Sequence, residues 1–228
     1  MDGTGILFEP LLKLISGTIQ YEVIALSKFQ SDTPSAQAAE LAIMIANQEV
    51  IIFAESYSGL IAYELCKLQS GSIKHVFFAA GFLERPSFIS QYARLLPITI
   101  LRYKLIPAVI LSYLFFARSS NRELVDLFYQ SLGSVSNKTL RTRLEIIAQA
   151  KRPVGKIKQP STYLCASNDW LVNKNVITTF KRLCVNFELI NVTGGHFIAQ
   201  SNPEKCWQEV RRVIIRLQSA AHRGLKSE

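Results

Sequence analysis

The sequence predicts an α/β protein: a mainly parallel, doubly wound sheet with helices on both faces, interrupted by a wholly helical insertion. Short apolar runs rich in β-branched residues alternate with segments of helical periodicity. Strands joined through helices pair in parallel by right-handed crossovers, which covers both faces of the sheet. Between Glu84 and about Ala150 the strand pattern stops and only helical periodicity remains. With 228 residues, 49% of them apolar, the chain can bury one sizeable core. The expected organisation is a core of residues 1–83 and 151–218, a helical lid of residues 84–150, and a polar tail of residues 219–228.

Taken in order, Ile6 to Ile15 reads as an amphipathic helix with Leu7, Phe8, Leu11, Leu12 and Ile15 on one side, stopped by Gly17. Tyr21 to Leu26 reads as a strand, and Ser35 to Asn47 as a helix with Ala38, Leu41, Ala42 and Ile45 on one face. Val50 to Phe53 is a strand that runs into Ala54, Glu55, Ser56, Tyr57, Ser58 and Gly59, after which Leu60, Ile61, Leu65 and Cys66 mark a helix. Ile73 to Ala80 is a buried strand closed by Gly81. The lid is broken at Pro97, Pro107 and Gly133 and ends in a helix over Lys138 to Ala150. Alternation then resumes with a strand at Ser161 to Ala166, a helix at Asn173 to Cys184, a strand at Phe187 to Val192 and a helix at Asn202 to Leu217, before a tail expected to fray.

Composition narrows the function classes. Cys66, Cys165, Cys184 and Cys206 lack C-x-x-C spacing and histidine partners, so no zinc site, redox pair or other cofactor is expected, and reduced core thiols point to a cytoplasmic setting. The N-terminus has Asp2 where a signal peptide needs basic residues. The longest uncharged apolar run, Leu105 to Ala117, has 13 residues, short of the roughly 20 that span a bilayer. Net charge is +9, and all of the excess lies between Pro86 and Pro160, with twelve Lys and Arg against three acids. That basic, apolar lid has two readings: cover for a lipid-like or anionic substrate with weak membrane-surface contact, or a packed helical block with a solvated basic exterior. Nucleic acid is not an expected partner, because the basic residues are interleaved with aliphatic stretches and no reader motif is present.

The stretch from Ala54 to Gly59 is a relaxed G-x-S-x-G. Small residues two before and two after a serine allow a sharp strand-to-helix elbow, which turns Ser56 outward and aims the Tyr57 N–H at whatever the hydroxyl attacks. A serine nucleophile needs a base, and the base needs an orienting carboxylate. Of three histidines, His75 starts a strand and His222 lies in the tail, whereas His196 follows the last strand beside Gly194 and Gly195. Asp169 follows the strand at Ser161 to Ala166 and lies between Ser56 and His196 in chain order. All three therefore fall beyond strand C-termini, where open parallel sheets place their chemistry. Each has a plainer reading as well: Asp169 as a cap for the next helix, His196 as a loop histidine, Ser56 as a turn serine. Glu84 also follows a strand and is the alternative acid, while Glu55 occupies an elbow position that commonly carries a polar residue and is given no role.

These motifs resemble the α/β-hydrolase superfamily from Met1 to about Leu217, including the opening Asp2, Gly3, Thr4, Gly5, Ile6, Leu7 and Phe8, which is similar to the oxyanion loop of bacterial members. The resemblance implies Ser56 as nucleophile, His196 as general base, Asp169 as its orienting acid, and Tyr57 and Met1 as oxyanion-hole residues. It also implies strands ahead of that opening loop, one of them between those matching Tyr21 to Leu26 and Val50 to Phe53. The chain is accordingly expected to be an N-terminally truncated member, with an in-frame apolar strand ending in Pro-Gly encoded upstream. Three functions stay open: a serine hydrolase of an ester, thioester or amide with an apolar acyl part; a non-catalytic or impaired relic; and a peripheral membrane or lipid-binding module.

Overall fold

Four strands, β1 (Val50–Glu55), β2 (Ile73–Ala79), β3 (Ser161–Ala166) and β4 (Phe187–Val192), form one all-parallel sheet in the order β1-β2-β3-β4. The computed structural model describes residues 2–69, 71–88, 90–92, 98, 104–117 and 122–224. Nine helices among the described residues surround the sheet: α1 (Glu9–Ile15), α2 (Pro34–Met44), α3 (Ser58–Leu68), α4 (Ala108–Phe116), α5 (Arg122–Gly133), α6 (Asn137–Gln149), α7 (Val176–Leu183), α8 (Ile198–Ser201) and α9 (Pro203–Gly224).

Strand alternation explains why two cores form. In β2, Val76 and Phe78 face one side, into a cluster with Ala38, Leu65 and Phe180 from α2, α3 and α7. Phe77 and Ala79 face the other side, with Leu11 and Ile15 of α1 and Cys206 and Val213 of α9. Tyr163 and Cys165 of β3 follow the first face, and Leu164 and Ala166 the second. A third cluster lies outside the sheet, where Leu111, Phe116, Phe128, Leu132, Leu140 and Leu144 from α4, α5 and α6 pack with Leu7 and Phe197. Residues between β2 and β3 therefore have their own apolar centre, resting on the opening loop and on the turn after β4.

Several boundaries differ from the sequence reading, each for a local reason. The first helix is split, because Pro10 belongs in a first helical turn: Ile6–Phe8 is a 3-10 turn and α1 starts at Glu9. Thr33 caps α2, its hydroxyl accepting the Ala36 N–H ahead of Pro34 at the first helical position. Helix α9 continues to Gly224 rather than ending at Leu217, so the described part of the expected tail, Ser219 to Gly224, is helical. Among the described residues, the misassigned element is the strand at Tyr21 to Leu26. Those residues join no ladder; Leu26 begins a 3-10 turn, and its N–H donates to the Gly3 carbonyl. Apolar alternation makes a strand only beside a partner, and β1 is an edge strand among the described residues.

Candidate active site

The elbow is built by backbone bonds before any side chain takes part. The Ser56 N–H continues the β1–β2 ladder by donating to the Ala79 carbonyl at 2.9 Å, and the next residues turn directly into α3. Ser56 itself sits at φ 56°, a left-handed conformation that costs an L-residue about 1 kcal/mol or more. Ser58 occupies the second small position and donates its hydroxyl to the Glu55 carbonyl at 2.7 Å, closing the turn from inside. The Tyr57 N–H meets no acceptor among the described residues, while its side chain is buried beneath the elbow.

Ser56, His196 and Asp169 come together in a continuous chain. Ser56 Oγ lies 2.7 Å from His196 Nε2, and His196 Nδ1 lies 2.9 Å from Asp169 Oδ2. Ser56 is 7% exposed and His196 2%, so both contacts are sheltered from water. The other oxygen of Asp169 is used as well: Oδ1 accepts the N–H groups of Leu171 at 2.8 Å and Val172 at 2.9 Å. Asp169 therefore caps a turn with one oxygen and holds the imidazole with the other, and the two sequence readings of this residue coexist. Burial by itself raises the Asp169 carboxyl, but the imidazole and the two N–H donors together outweigh it and hold the group below the ordinary carboxylate value.

The remaining sequence candidates lie elsewhere. Glu84 is bound by Arg152 through two bonds of 2.9 Å and by the Thr179 hydroxyl, so it forms an ion pair and takes no part in the histidine contact. His75 is buried in β2 with Nε2 2.9 Å from Thr162 Oγ1, and burial pushes it down to about 4. Met1 lies outside the described residues; its neighbour Asp2 accepts bonds from the N–H and hydroxyl of Thr4, and the Arg143 side chain of α6 donates to the Asp2 carbonyl. All four cysteines are free and buried, and burial pushes the Cys66 thiol up to about 12.

Two features were missed by the sequence reading. Glu55 is buried, and its carboxylate accepts the Ala199 N–H and the Gln200 side-chain amide, both at 3.0 Å. The second is the docking of α4 on the histidine turn: the Phe197 N–H donates to the Phe115 carbonyl at 3.0 Å, and the two rings stack at 5.4 Å. Gly195 makes this approach possible. A Cβ there would lie 2.5 Å from the Phe115 carbonyl oxygen and 2.6 Å from the Ala117 nitrogen, both backbone atoms with little room to yield. Gly195→Ala is expected to cost about 1–3 kcal/mol, read as a lower denaturation midpoint; an unchanged midpoint would contradict this packing. On its outer side α4 exposes Val109, Ile110 and Tyr113, and Tyr113 rests on Trp170 at 5.5 Å. The described exterior of this helix is therefore apolar, as its uncharged sequence implies.

Comparison with known proteins separates fold from function. No protein-family model matches the sequence, and no curated protein sequence matches it. Solved structures do match. A protein described as an N-acyl homoserine lactone degrading enzyme aligns over 92% of this chain and 89% of its own, with a TM-score of 0.73 at 13% identity. The epoxide hydrolase CorEH aligns over 94% and 88%, with a TM-score of 0.71 at 12% identity. The enol-lactonase from Burkholderia xenovorans LB400 aligns over 94% and 88%, with a TM-score of 0.69 at 14% identity. The chain thus has the α/β-hydrolase fold, and since such neighbours catalyse different reactions, the chemistry has to be argued from the site.

Proposed function

Starting from the α/β-hydrolase fold, we propose that this chain is a cofactor-independent serine hydrolase that cleaves an ester with an apolar acyl part, with thioesters and amides as related substrates. The observation that carries the reading is the buried sequence of contacts from Ser56 Oγ through the His196 imidazole to Asp169 Oδ2. In this reading Ser56 donates its proton to His196 Nε2 as Oγ attacks the carbonyl carbon. Asp169 keeps the other proton on Nδ1 and stabilises the imidazolium as it forms. The Tyr57 N–H supplies an oxyanion donor, since it is uncommitted among the described residues and lies at the start of α3. His196 then returns the proton to the departing alcohol, which leaves an acyl-Ser56 ester. A water molecule, deprotonated by the same nitrogen, hydrolyses this ester and restores the hydroxyl.

The apolar acyl preference rests on the surroundings of His196. Phe197, Phe115, Phe116 and Phe128 form an aromatic group beside it, continuous with the apolar centre of the helical insertion, which acts as the lid in this reading. The lactone-degrading descriptions of two structural neighbours are compatible with ester chemistry. A series of p-nitrophenyl esters from acetate upward tests the reading. kcat/KM is expected to rise about fourfold per added methylene, the worth of a buried CH2, until the acyl site is filled. A flat series would overturn the apolar site. Failure of the folded protein to cleave any ester, thioester or amide would overturn the hydrolase.

A further inference from the structure

Glu55 has no part in the proton path, yet it joins the two peptides that must meet for that path to exist. It is the last residue of β1 and precedes Ser56 directly. Its carboxylate crosses to α8, where Oε1 accepts the Ala199 N–H and Oε2 accepts the Gln200 Nε2 amide, each at 3.0 Å. Ala199 and Gln200 lie three and four residues beyond His196, and both are buried. A closed loop results: Glu55 is bonded to Ser56 through the chain, Ser56 Oγ touches His196, and His196 leads through Phe197 and Ile198 back to the Glu55 carboxylate.

We propose, on the strength of the serine-hydrolase reading above, that Glu55 is a positioning residue whose carboxylate fastens the turn after His196 to the end of β1 and so sets the Ser56–His196 contact. Packing alone would be served better by another side chain. A carboxylate in an apolar interior is costly unless its bonds are made, and a matched apolar group usually fits such a site with less expense. Burial does push the Glu55 carboxyl up to about 7, in spite of the Ala199 and Gln200 donors that favour its charge. Retaining an expensive group beside the nucleophile is intelligible if its two acceptor oxygens hold something that must not move. Nothing else orients the Gln200 amide: its Oε1 has no hydrogen-bond partner among the described residues, so its attachment is to Glu55. The groups that face the carboxylate from packed elements are donors or weak acids: the imidazole of His196, the amide of Gln200 and the buried thiol of Cys206 on α9.

The test exchanges the two partners. Glu55→Gln keeps the size of the side chain but turns one acceptor into an NH2 group, which opposes the Gln200 NH2 group in the orientation that amide holds in the wild type. It is expected to lower kcat about 10- to 100-fold for a p-nitrophenyl ester with KM within about twofold, the signature of a displaced histidine and an intact acyl site. Adding Gln200→Glu restores the bond between residues 55 and 200 with its direction reversed and leaves the Ala199 bond as it was. Residue 55 then accepts from Ala199 and donates to residue 200, so kcat should return to within about threefold of the wild-type value. A Glu55→Gln enzyme with wild-type kcat would overturn the role, and so would a folded double variant that stays as slow as the single one. If Glu55→Gln alone fails to fold, the double variant decides by the same criterion. A folded wild-type protein without activity would overturn both this role and the hydrolase reading, whereas an active wild type with indifferent variants would overturn the role of Glu55 only.

Discussion

Ser56→Ala is expected to reduce ester hydrolysis by roughly a million-fold, to the level left by binding and oxyanion contacts alone, without unfolding the protein. The hydroxyl removed is the atom 2.7 Å from His196 Nε2, and no other hydroxyl among the described residues bonds that nitrogen. The effect on stability should separate from the effect on activity. Ser56 holds a left-handed backbone at φ 56°, a conformation that alanine tolerates no better than serine and that glycine adopts freely. Ser56→Gly should therefore be as inactive as Ser56→Ala yet more stable than it by about 1 kcal/mol, measured as a higher denaturation midpoint. Activity surviving in either variant would show that the nucleophile lies elsewhere.

Asp169→Asn should lower kcat about 10,000-fold, because an amide nitrogen facing His196 Nδ1 favours the imidazole tautomer that carries its proton on Nε2, where the base is needed. Folding should survive, since the oxygen that accepts the Leu171 and Val172 N–H groups can be kept by the amide. The pH dependence of stability should change in a defined direction. The native Asp169 carboxyl lies below its ordinary value of 3.8, so the unfolded chain takes up a proton at higher pH than the native one. That stabilisation is complete above the ordinary value and is lost as pH falls through the native value, and Asp169→Asn should lack this part of the acid sensitivity. Glu84→Gln is the control. Its partners are Arg152 and Thr179, so kcat should stay within about twofold of wild type; a loss like that of Asp169→Asn would reinstate Glu84 as the orienting acid.

What the sequence made legible was local. The strands at Ser161–Ala166 and Phe187–Val192 have the bounds expected of them, because a short apolar run between polar stretches identifies a buried parallel strand without reference to the rest of the chain. Ser56, Asp169 and His196 could be picked out for a similar reason, as polar residues directly beyond such strands. What stayed hidden depends on contacts distant in sequence. Glu55 read as a routine polar residue of the elbow, since its partners are 144 and 145 positions away. The contact of Phe115 with Phe197 depends on how the helical insertion docks against Gly195, which the sequence around His196 does not reveal. Tyr21 to Leu26 failed in the opposite way. Its composition suits a strand, but a strand is a relation between two segments, and no described neighbour pairs with it.

The most direct measurement is the intact mass of the folded protein after exposure to a fluorophosphonate, followed by mapping of the modified peptide. One adduct is expected, on Ser56, absent from Ser56→Ala and strongly slowed in Asp169→Asn. A folded protein that takes up no label, or one labelled at a different residue, would contradict Ser56 as the nucleophile.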